Sequence, residues 1–353
     1  MALSREQLLA YLRLPKLGTV KGFALVNLAK DKDIVPCTAR DMIELLDLCR
    51  SINPTLRISE YTTEEMQDAL DIACHLIEMS EVKGIRLLTY YDDNFPEKLR
   101  QIRSNGKFAA PLTLWYRGCL DAVDLPGIAI IGTREPTPEG IKAGHYFGKA
   151  FAEAGFNVVS GLAYGCDKSG HEGALMAENG TTTAFLAHGL DTVYPKEHCD
   201  LADEIVANGG LLMSEYPIGT RGMANYFIER DRLQSGLSEA CLVIQTGRTG
   251  GTMHAVRATI ENGKPLYAVS YSSSDIMSQP KVAGNSMLIN EGIEAGKGLA
   301  YGKATPLTSK NIEEVITSLR SAHDRSRKKE KAMEATDIAS GGKDEKGQLL
   351  LFE

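Results

Sequence analysis

Short apolar runs alternate with longer amphipathic stretches through the middle of the chain. The runs, typical of strands buried on both faces of a parallel sheet, lie at residues 128–131, 157–160, 182–186, 211–214, 241–245 and 265–269. Stretches at 139–154, 169–179 and 252–262 predict helices between them. This alternation indicates βαβ units with right-handed crossovers. We therefore expect an α/β protein with an extended Rossmann-like parallel sheet.

The pattern before this sheet is helical. The predicted helices cover residues 4–13, 20–28, 38–51 and 62–79. The turn Leu14-Pro15-Lys16-Leu17-Gly18 between the first two is typical of a helix-hairpin-helix unit, which can bind the DNA backbone through its amides. A small helical bundle held by its leucines explains the same pattern, and the sequence leaves both possibilities open.

The periodicity divides the chain into four parts. We assign residues 1–84 to the helical domain, 85–300 to the Rossmann-like core, 301–322 to a terminal helix and 323–353 to a flexible tail. At the start of the core, residues 112–116 are a plausible edge strand, and Pro96 can begin a short helix.

Composition narrows the class of protein. The 353 residues are 43% hydrophobic and carry a formal net charge of −7, so bulk charge does not favour nucleic-acid binding. The seven scattered cysteines form no C-x-x-C pair, which indicates reduced thiols in a cytoplasmic protein. The amino terminus lacks the apolar core of a signal peptide, and no run is long enough to span a bilayer.

Three glycine-containing loops follow predicted strands and therefore share one edge of the sheet. They lie at residues 132–134, 160–167 and 245–252. Glycine lets the backbone approach a phosphate closely, helix starts offer free amides, and arginine adds charge-assisted hydrogen bonds. The alternative is that the glycines only make tight strand-to-helix turns. The candidate anion-binding residues of these loops are Gly132, Thr133, Arg134, Lys168, Arg248, Gly250, Gly251 and Thr252.

Arg230 and Arg232 lie two residues apart, close to Phe227. Arginine beside aromatic rings suits a single nucleic-acid strand, because the cations meet phosphates while the rings stack on bases. A solvated helix face, with the arginines paired to Glu229 and Asp231, explains the same residues. The sequence does not decide between these two readings.

Catalytic patterns are weak. Asp167 and His171 are four residues apart and would share a helix face, but no third ligand has useful spacing, so we expect a structural role in the loop. The dinucleotide fingerprint G-x-G-x-x-G does not follow the first strand, and there is no P-loop. We therefore expect a protein that is not an enzyme and holds neither a cofactor nor a metal ion.

The order of the motifs resembles the DNA-processing protein A family, also called DprA or Smf. The resemblance covers residues 87–295. The matching segments are Gly132-Thr133-Arg134, Ser160-Gly161-Leu162-Ala163 with Gly165, Asp167 and His171, Tyr194-Pro195, Ser214-Glu215-Tyr216-Pro217, Phe227 with Arg230-Asp231-Arg232, Gly236-Leu237-Ser238 and Gly284-Asn285-Ser286. Tyr164 stands where the family has arginine, and Asp231 stands where it has asparagine.

The resemblance implies a homodimer that binds single-stranded DNA in a positive pocket and passes it to a RecA-type recombinase during DNA uptake. It makes Arg134 the main phosphate contact. It adds, as candidates for the rest of the pocket, Ser160, Gly161, Lys168, Phe227, Arg230 and Arg232. A regulatory module that senses a nucleotide or a partner, in phage defence or toxin control, is the alternative that the Gly250 loop suggests. A nucleotide hydrolase on the same fold ranks last.

The carboxyl terminus suggests a second partner. Gln348, Leu349, Leu351 and Phe352 resemble the Q-L-x-L-F peptide by which bacterial proteins bind the DNA sliding clamp. A basic linker that ends in a short apolar anchor is a common arrangement for recognition. The alternative is a tail that folds back on its own domain.

If the tail is a clamp-binding peptide, deletion of residues 348–352 will abolish the pull-down of the sliding clamp. DNA binding by the same variant should be intact, because the deleted residues lie far along the chain from the glycine loops. Clamp binding that survives the deletion would exclude this role.

Overall fold

A sheet of nine strands organises the structure, a computed structural model that describes residues 3–339. Including those outside this sheet, the strands are β1 (Arg86–Thr89), β2 (Arg103–Ser104), β3 (Lys107–Phe108), β4 (Thr113–Gly118), β5 (Gly127–Ile131), β6 (Asn157–Ser160), β7 (Thr181–Phe185), β8 (Leu211–Ser214), β9 (Ala240–Val243), β10 (Leu266–Val269), β11 (Ile293–Glu294), β12 (Tyr301–Gly302) and β13 (Thr305–Leu307). The α-helices are α1 (Arg5–Arg13), α2 (Thr19–Asp31), α3 (Ala39–Ile52), α4 (Thr63–Val82), α5 (Glu97–Arg100), α6 (Pro138–Glu153), α7 (Cys166–Leu175), α8 (Cys199–Ala207), α9 (Ala224–Leu237), α10 (Thr252–Glu261), α11 (Ser274–Met277), α12 (Ala283–Asn290) and α13 (Ile312–Ala339). Short 3₁₀ helices lie at Pro54–Leu56, Leu120–Asp124 and Lys196–His198.

The strand order of the large sheet is β1-β4-β8-β7-β6-β5-β9-β10-β13. From β8 to β13 neighbouring strands are parallel, whereas β4 pairs antiparallel with both β8 and β1. Ile128 and Ile130 of β5 pack on one face of the sheet, while Ala129 and Ile131 pack on the other. The predicted α/β fold with a Rossmann-like sheet is confirmed.

One strand prediction needs correction. Residues 112–116 were expected to form an edge strand, but β4 lies between β8 and β1, so β1 is the edge. Trp115 of β4 is almost fully buried, because residues of the helical domain pack on this face of the sheet. Because β1 is short and has few apolar residues, the sequence pattern does not distinguish it from the loop residues around it.

The helical domain packs on the sheet through a shared core. Its helices α1, α3 and α4 begin with capping boxes, in which the Ser4, Thr38 and Thr62 side chains accept hydrogen bonds from the third residue of each helix. One apolar cluster includes Tyr11 and Leu25 of this domain together with Trp115 of the sheet. Burial of these side chains against each other stabilises the two parts as a unit.

The last helix is longer than predicted. The terminal helix was expected to end at residue 322, but α13 continues to Ala339 through the basic segment assigned to the tail. No glycine or proline occurs between residues 323 and 339, and lysine, glutamate, alanine and arginine favour helix. Ile316 and Leu319 pack on the sheet, and His323 Nδ1 lies 2.8 Å from Glu239 Oε1. The proposed clamp peptide, residues 348–352, lies outside the described residues.

Length and polarity of the helices also bear on membranes. Across residues 3–339, none of the helices combines the length and the apolar character that crossing a bilayer requires.

His171 of α7 ties this helix to the sheet. Its Nδ1 lies 2.6 Å from Thr182 Oγ1, and the Thr182 hydroxyl donates to the carbonyl oxygen of Val158 at 2.6 Å. Since that hydroxyl proton is used, the His171 Nδ1–H must donate to Thr182. The other ring nitrogen, Nε2, is buried without a hydrogen-bond partner among the described residues. Burial, with smaller effects of His198 and Arg230, lowers the pKa of His171 to about 3.

This contact predicts that acid weakens the fold at His171. Below the ordinary histidine value of 6.5 the unfolded chain takes up a proton at His171, but the folded chain does not until about pH 3. Between these values the free energy of unfolding falls by about 1.4 kcal/mol per pH unit from this residue. Urea unfolding at several pH values should therefore show a smaller pH dependence for His171→Gln than for the wild type.

His75 provides the control, because it is exposed on α4. His75→Gln should keep the wild-type pH dependence. Equal slopes for His171→Gln and the wild type would contradict the assignment.

Candidate functional site

A cleft lies where the strand order reverses. The chain proceeds from β5 through β6, β7 and β8 in one direction, and β9 and β10 lie on the other side of β5. Loops that leave the carboxyl ends of β5 and β9 therefore diverge, and open α/β sheets bind ligands in this crevice. The cleft has a volume of about 790 Å³. We call it the switch-point cleft.

Residues 132–134 form one wall of this cleft. A side chain at position 132 could not fit, because a Cβ there would lie 2.5 Å from Cys166 Sγ and 2.7 Å from the Gln245 carbonyl oxygen. The Thr133 N–H donates to the same carbonyl at 2.7 Å. The glycine therefore lets the β5 and β9 loops touch, and this contact fixes the direction in which Arg134 leaves the strand.

Arg134 is an exposed cation at the mouth of the cleft. Its guanidinium carbon lies 5.7 Å from the centre of the Phe227 ring, within the range of a cation–π contact. Among the side chains that the structure describes, its guanidinium has no hydrogen-bond or ion-pair partner. Its donors are consequently available to an anion.

The loop after β9 forms the opposite wall. Gly250, Gly251 and Thr252 line the cleft at the start of α10, where backbone amides lack helical partners. The loop is held from behind, because Thr246 N–H donates to Asn285 Oδ1 at 2.9 Å. Arg248 is not among the lining residues and forms an ion pair at 2.9 Å with Glu291.

Helix α9 supplies the third side. Phe227 and Ile228 present apolar surface to the cleft, and Arg230 and Asp231 lie deeper. Arg230 is only 4% exposed. Its Nε lies 3.3 Å from Asp231 Oδ1, and another nitrogen donates to the Phe185 carbonyl. Arg230 is thus a buried and already paired cation.

Asp167, Arg230 and Asp231 together form what we call the floor of the cleft. Asp167 lies in the first turn of α7 and accepts a hydrogen bond from the Gly161 N–H at 3.2 Å. Burial raises the pKa of Asp167, although Arg230 opposes this effect. Burial also raises the pKa of Asp231 to about 7, again against the influence of Arg230. Two carboxylates therefore share one buried guanidinium.

Besides Arg248, the predicted site residues Ser160, Gly161 and Lys168 lie outside the lining of the cleft. The Ser160 hydroxyl donates to the Ile130 carbonyl at 2.6 Å, so it joins β6 to β5. Gly161 lies directly beneath Arg230, and a Cβ there would be 2.0 Å from the guanidinium. Lys168 is half-exposed and lies 3.4 Å from Glu172. These residues support the floor or the neighbouring helix instead of facing a ligand.

Arg232 is also turned away from the cleft. Its guanidinium makes two hydrogen bonds to Glu215, at 2.6 and 2.7 Å, and a third at 2.9 Å to the Ala109 carbonyl. Residues two apart on an α-helix point about 200° apart, so Arg230 and Arg232 cannot serve the same site. The sequence left open whether these arginines contact a nucleic-acid strand or pair with carboxylates. In the structure both are paired with carboxylates, and only Arg230 reaches the cleft.

The structure adds lining residues that the sequence analysis did not assign to the site. Tyr194, Glu135 and His254 all line the cleft. The Tyr194 ring is 55% exposed, and its centre lies 6.0 Å from that of Phe227. Tyr194 belongs to the Tyr-Pro motif beyond β7 that matches the family pattern, and this motif could have marked it as a site residue.

The donor groups of residues 3–339 give no metal centre. Among the side chains that the structure describes, no group of three or more histidine, cysteine, aspartate or glutamate residues could hold a metal ion. Asp167 and His171, considered as a possible pair, instead hold Gly161 and Thr182 respectively.

Comparison with known proteins places this architecture in a family. A family model described as DNA recombination-mediator protein A matches residues 86–299. Protein Smf of Synechocystis sp. is 33% identical over 248 residues, which are 68% of this chain and 60% of that relative. This chain therefore spans less than two thirds of that relative's length.

Two solved structures resemble the fold. DNA processing protein A from Streptococcus pneumoniae superposes with a TM-score of 0.61 at 24% identity, over 82% of this chain and 92% of that one. DNA processing protein A from Helicobacter pylori, whose structure concerns a single-stranded DNA binding mode, gives 0.54 at 26% identity, over 67% and 96%. Since the family model covers more than half of the chain, the protein belongs to the DNA recombination-mediator protein A family, as the order of its motifs predicts.

Proposed function

We propose that the switch-point cleft binds single-stranded DNA. The observation that carries this proposal is Arg134, an exposed guanidinium at the cleft mouth that forms no ion pair among the described side chains and lies 5.7 Å from the Phe227 ring. A cation beside an aromatic face suits a strand whose phosphates and bases are both accessible. Double-stranded DNA keeps its bases stacked inside the duplex, so it could not use the ring in this way.

The walls of the cleft suggest how a strand is held. A phosphate at Arg134 faces the free amides at the start of α10, near Gly250 and Thr252. The rings of Phe227 and Tyr194 lie beside it and offer stacking surfaces to the adjoining bases. Contacts of this kind do not depend on base identity, so we expect little sequence preference.

Membership of the family supports a proposal for the wider role. The Helicobacter pylori neighbour is a protein with a single-stranded DNA binding mode, and we infer that this chain takes part in DNA processing or recombination as a cytoplasmic homodimer. Transfer of the strand to a RecA-type recombinase is part of this proposal, and so is docking on the sliding clamp by the tail. We propose a binding protein without a catalytic role, because the cleft contributes no nucleophile paired with a base.

A nucleotide sensor is the second candidate. The observation in its favour is the loop at Gly250 and Gly251, where the space beside each Cα is open and faces the cleft. A free nucleotide would place its phosphate on the same amides. Thermal-shift screening with mononucleotides separates the candidates, since stabilisation by a mononucleotide but not by an oligonucleotide would favour sensing.

Arg134→Ala should weaken DNA binding to strands of any sequence. Loss of one phosphate contact reduces the salt slope of the logarithm of the affinity by about 1. The measurement is fluorescence anisotropy of labelled oligothymidine and of a mixed-sequence strand over a series of salt concentrations.

Arg40→Ala is the matched control, because it removes the same charge from the exposed surface of α3 in the helical domain. It should leave both affinity and salt slope close to the wild type. Normal binding by Arg134→Ala, or a wild-type affinity that does not change with salt, would rule out the proposed phosphate site.

Phe227→Leu should weaken binding through the bases and not through the phosphates. Loss of a stacked base lowers the binding free energy by about 1–3 kcal/mol. Phe227→Tyr keeps a ring of similar size and should retain most of the affinity. The decisive comparison uses a strand with abasic sites, for which Phe227→Leu and the wild type should bind alike. An equal loss on the abasic strand would show that the ring only supports the fold of the cleft.

A further inference from the structure

The charges that line the switch-point cleft do not favour an anion. Two arginines, Arg134 and Arg230, face three carboxylates. Glu135 is exposed and lies 3.7 Å from Lys281, so solvent and that lysine screen it. The two carboxylates of the floor are not screened in this way, and their only shared guanidinium among the lining residues is Arg230.

Asp231 is the floor carboxylate that a ligand in the cleft would affect most directly. Its side chain is 16% exposed and lines the cleft, and its Oδ1 lies 3.3 Å from Arg230 Nε. The groups that act on it come from each neighbouring element. They are Arg230 on α9, Asp167 on α7 and Arg134 after β5, and Asp231 in turn acts on the Cys241 thiol of β9. Thus Arg134, the cation available to a ligand, also favours the ionised form of Asp231.

A phosphate bound at Arg134 would disturb this balance. The phosphate would pair with the Arg134 guanidinium, whose positive charge partly offsets the negative charge of Asp231. It would also bring a third negative charge toward the two buried carboxylates. Like charges in a site of low polarity cannot all remain ionised without a large loss of binding free energy. Protonation of one carboxylate removes the conflict.

We propose that Asp231 takes up a proton from solvent when a DNA phosphate enters the cleft, so that single-stranded DNA binds more tightly as pH falls through neutrality. This inference rests on the proposed DNA-binding function. The proton forms an O–H bond on a carboxylate oxygen of Asp231, and no other bond changes. Asp167 is the less suitable acceptor, because its carboxylate receives the Gly161 N–H at 3.2 Å, which favours the ionised form.

The titration of Asp231 falls in the right range. Burial places its pKa at about 7 before any ligand binds, and an approaching phosphate raises the pKa further. A phosphodiester stays singly negative throughout this range, so the DNA cannot produce the pH dependence. The linkage has one sign only, since the complex holds more protons than the free protein and affinity must increase as pH falls.

His254 is the rival candidate that the experiment has to exclude. It lines the cleft in the first turn of α10, and a protonated imidazole attracts phosphate. The experiment must therefore separate the two residues. Glu135→Gln supplies a matched charge control, because it removes one carboxylate from the same cleft without touching the floor.

The test measures oligothymidine affinity by anisotropy from about pH 6 to about pH 8.5 at constant ionic strength. Wild-type affinity should fall as pH rises, and Asp231→Asn should bind with nearly constant affinity, about tenfold tighter than the wild type at the upper end. Glu135→Gln and His254→Gln should each keep the wild-type pH dependence. Calorimetry of the wild type in buffers of different ionisation enthalpy should detect proton uptake on binding, which Asp231→Asn should lose.

Several results would overturn the inference. They are a wild-type affinity without pH dependence, the absence of proton uptake, a pH dependence that survives in Asp231→Asn, and one that disappears in His254→Gln. Calorimetry of the wild type keeps the test valid even if Asp231→Asn folds poorly. The proposed function fails separately, if the wild type binds no DNA at any pH or if Arg134→Ala binds as tightly as the wild type.

Discussion

The site depends on Gln245, which joins the β5 and β9 loops at the switch point. Its backbone carbonyl accepts the Thr133 N–H at 2.7 Å. Its buried side chain accepts the Thr137 N–H at 2.9 Å and donates to the Thr137 hydroxyl at 3.0 Å. One residue of the β9 loop thereby holds both ends of the segment that carries Arg134. The absence of a side chain at Gly132 is what allows this close approach.

Sequence pattern was sufficient for the fold and for this edge of the sheet. The apolar runs place the ends of β5 and β9 within one or two residues, and the ends of parallel strands share an edge, so the sequence predicts that Arg134 and the Gly250 loop lie at the same edge. The limits of the pattern lie in long-range pairing. Glu215, which holds Arg232, and Glu291, which holds Arg248, are 17 and 43 residues away in sequence. No local periodicity reports such partners.

The same limit explains why an arginine in a motif is a weak predictor of contact with a ligand. Arg230 and Arg232 belong to one helix and one motif, yet one lies under the cleft and the other braces the neighbouring strand. An ion pair that is already formed has little charge left for a second anion, because its field is compensated nearby. What distinguishes Arg134 is that its guanidinium forms no ion pair among the described side chains, and this property is visible only in three dimensions.

The two carboxylates of the floor limit the positive charge of the cleft. A cleft with strong uncompensated positive charge would bind many anions, and its affinity would depend on bulk ionic strength more than on the ligand. With Asp167 and Asp231 also lining the cleft, Arg134 offers limited charge, so the proposed binding of a DNA strand would draw a larger share of its free energy from the rings of Phe227 and Tyr194. Duplex DNA and small anions cannot use those rings. Under the proposed function, the carboxylates would lower affinity for every anion but increase the preference for a strand with accessible bases, and negative charge in the cleft would in this way contribute to selectivity.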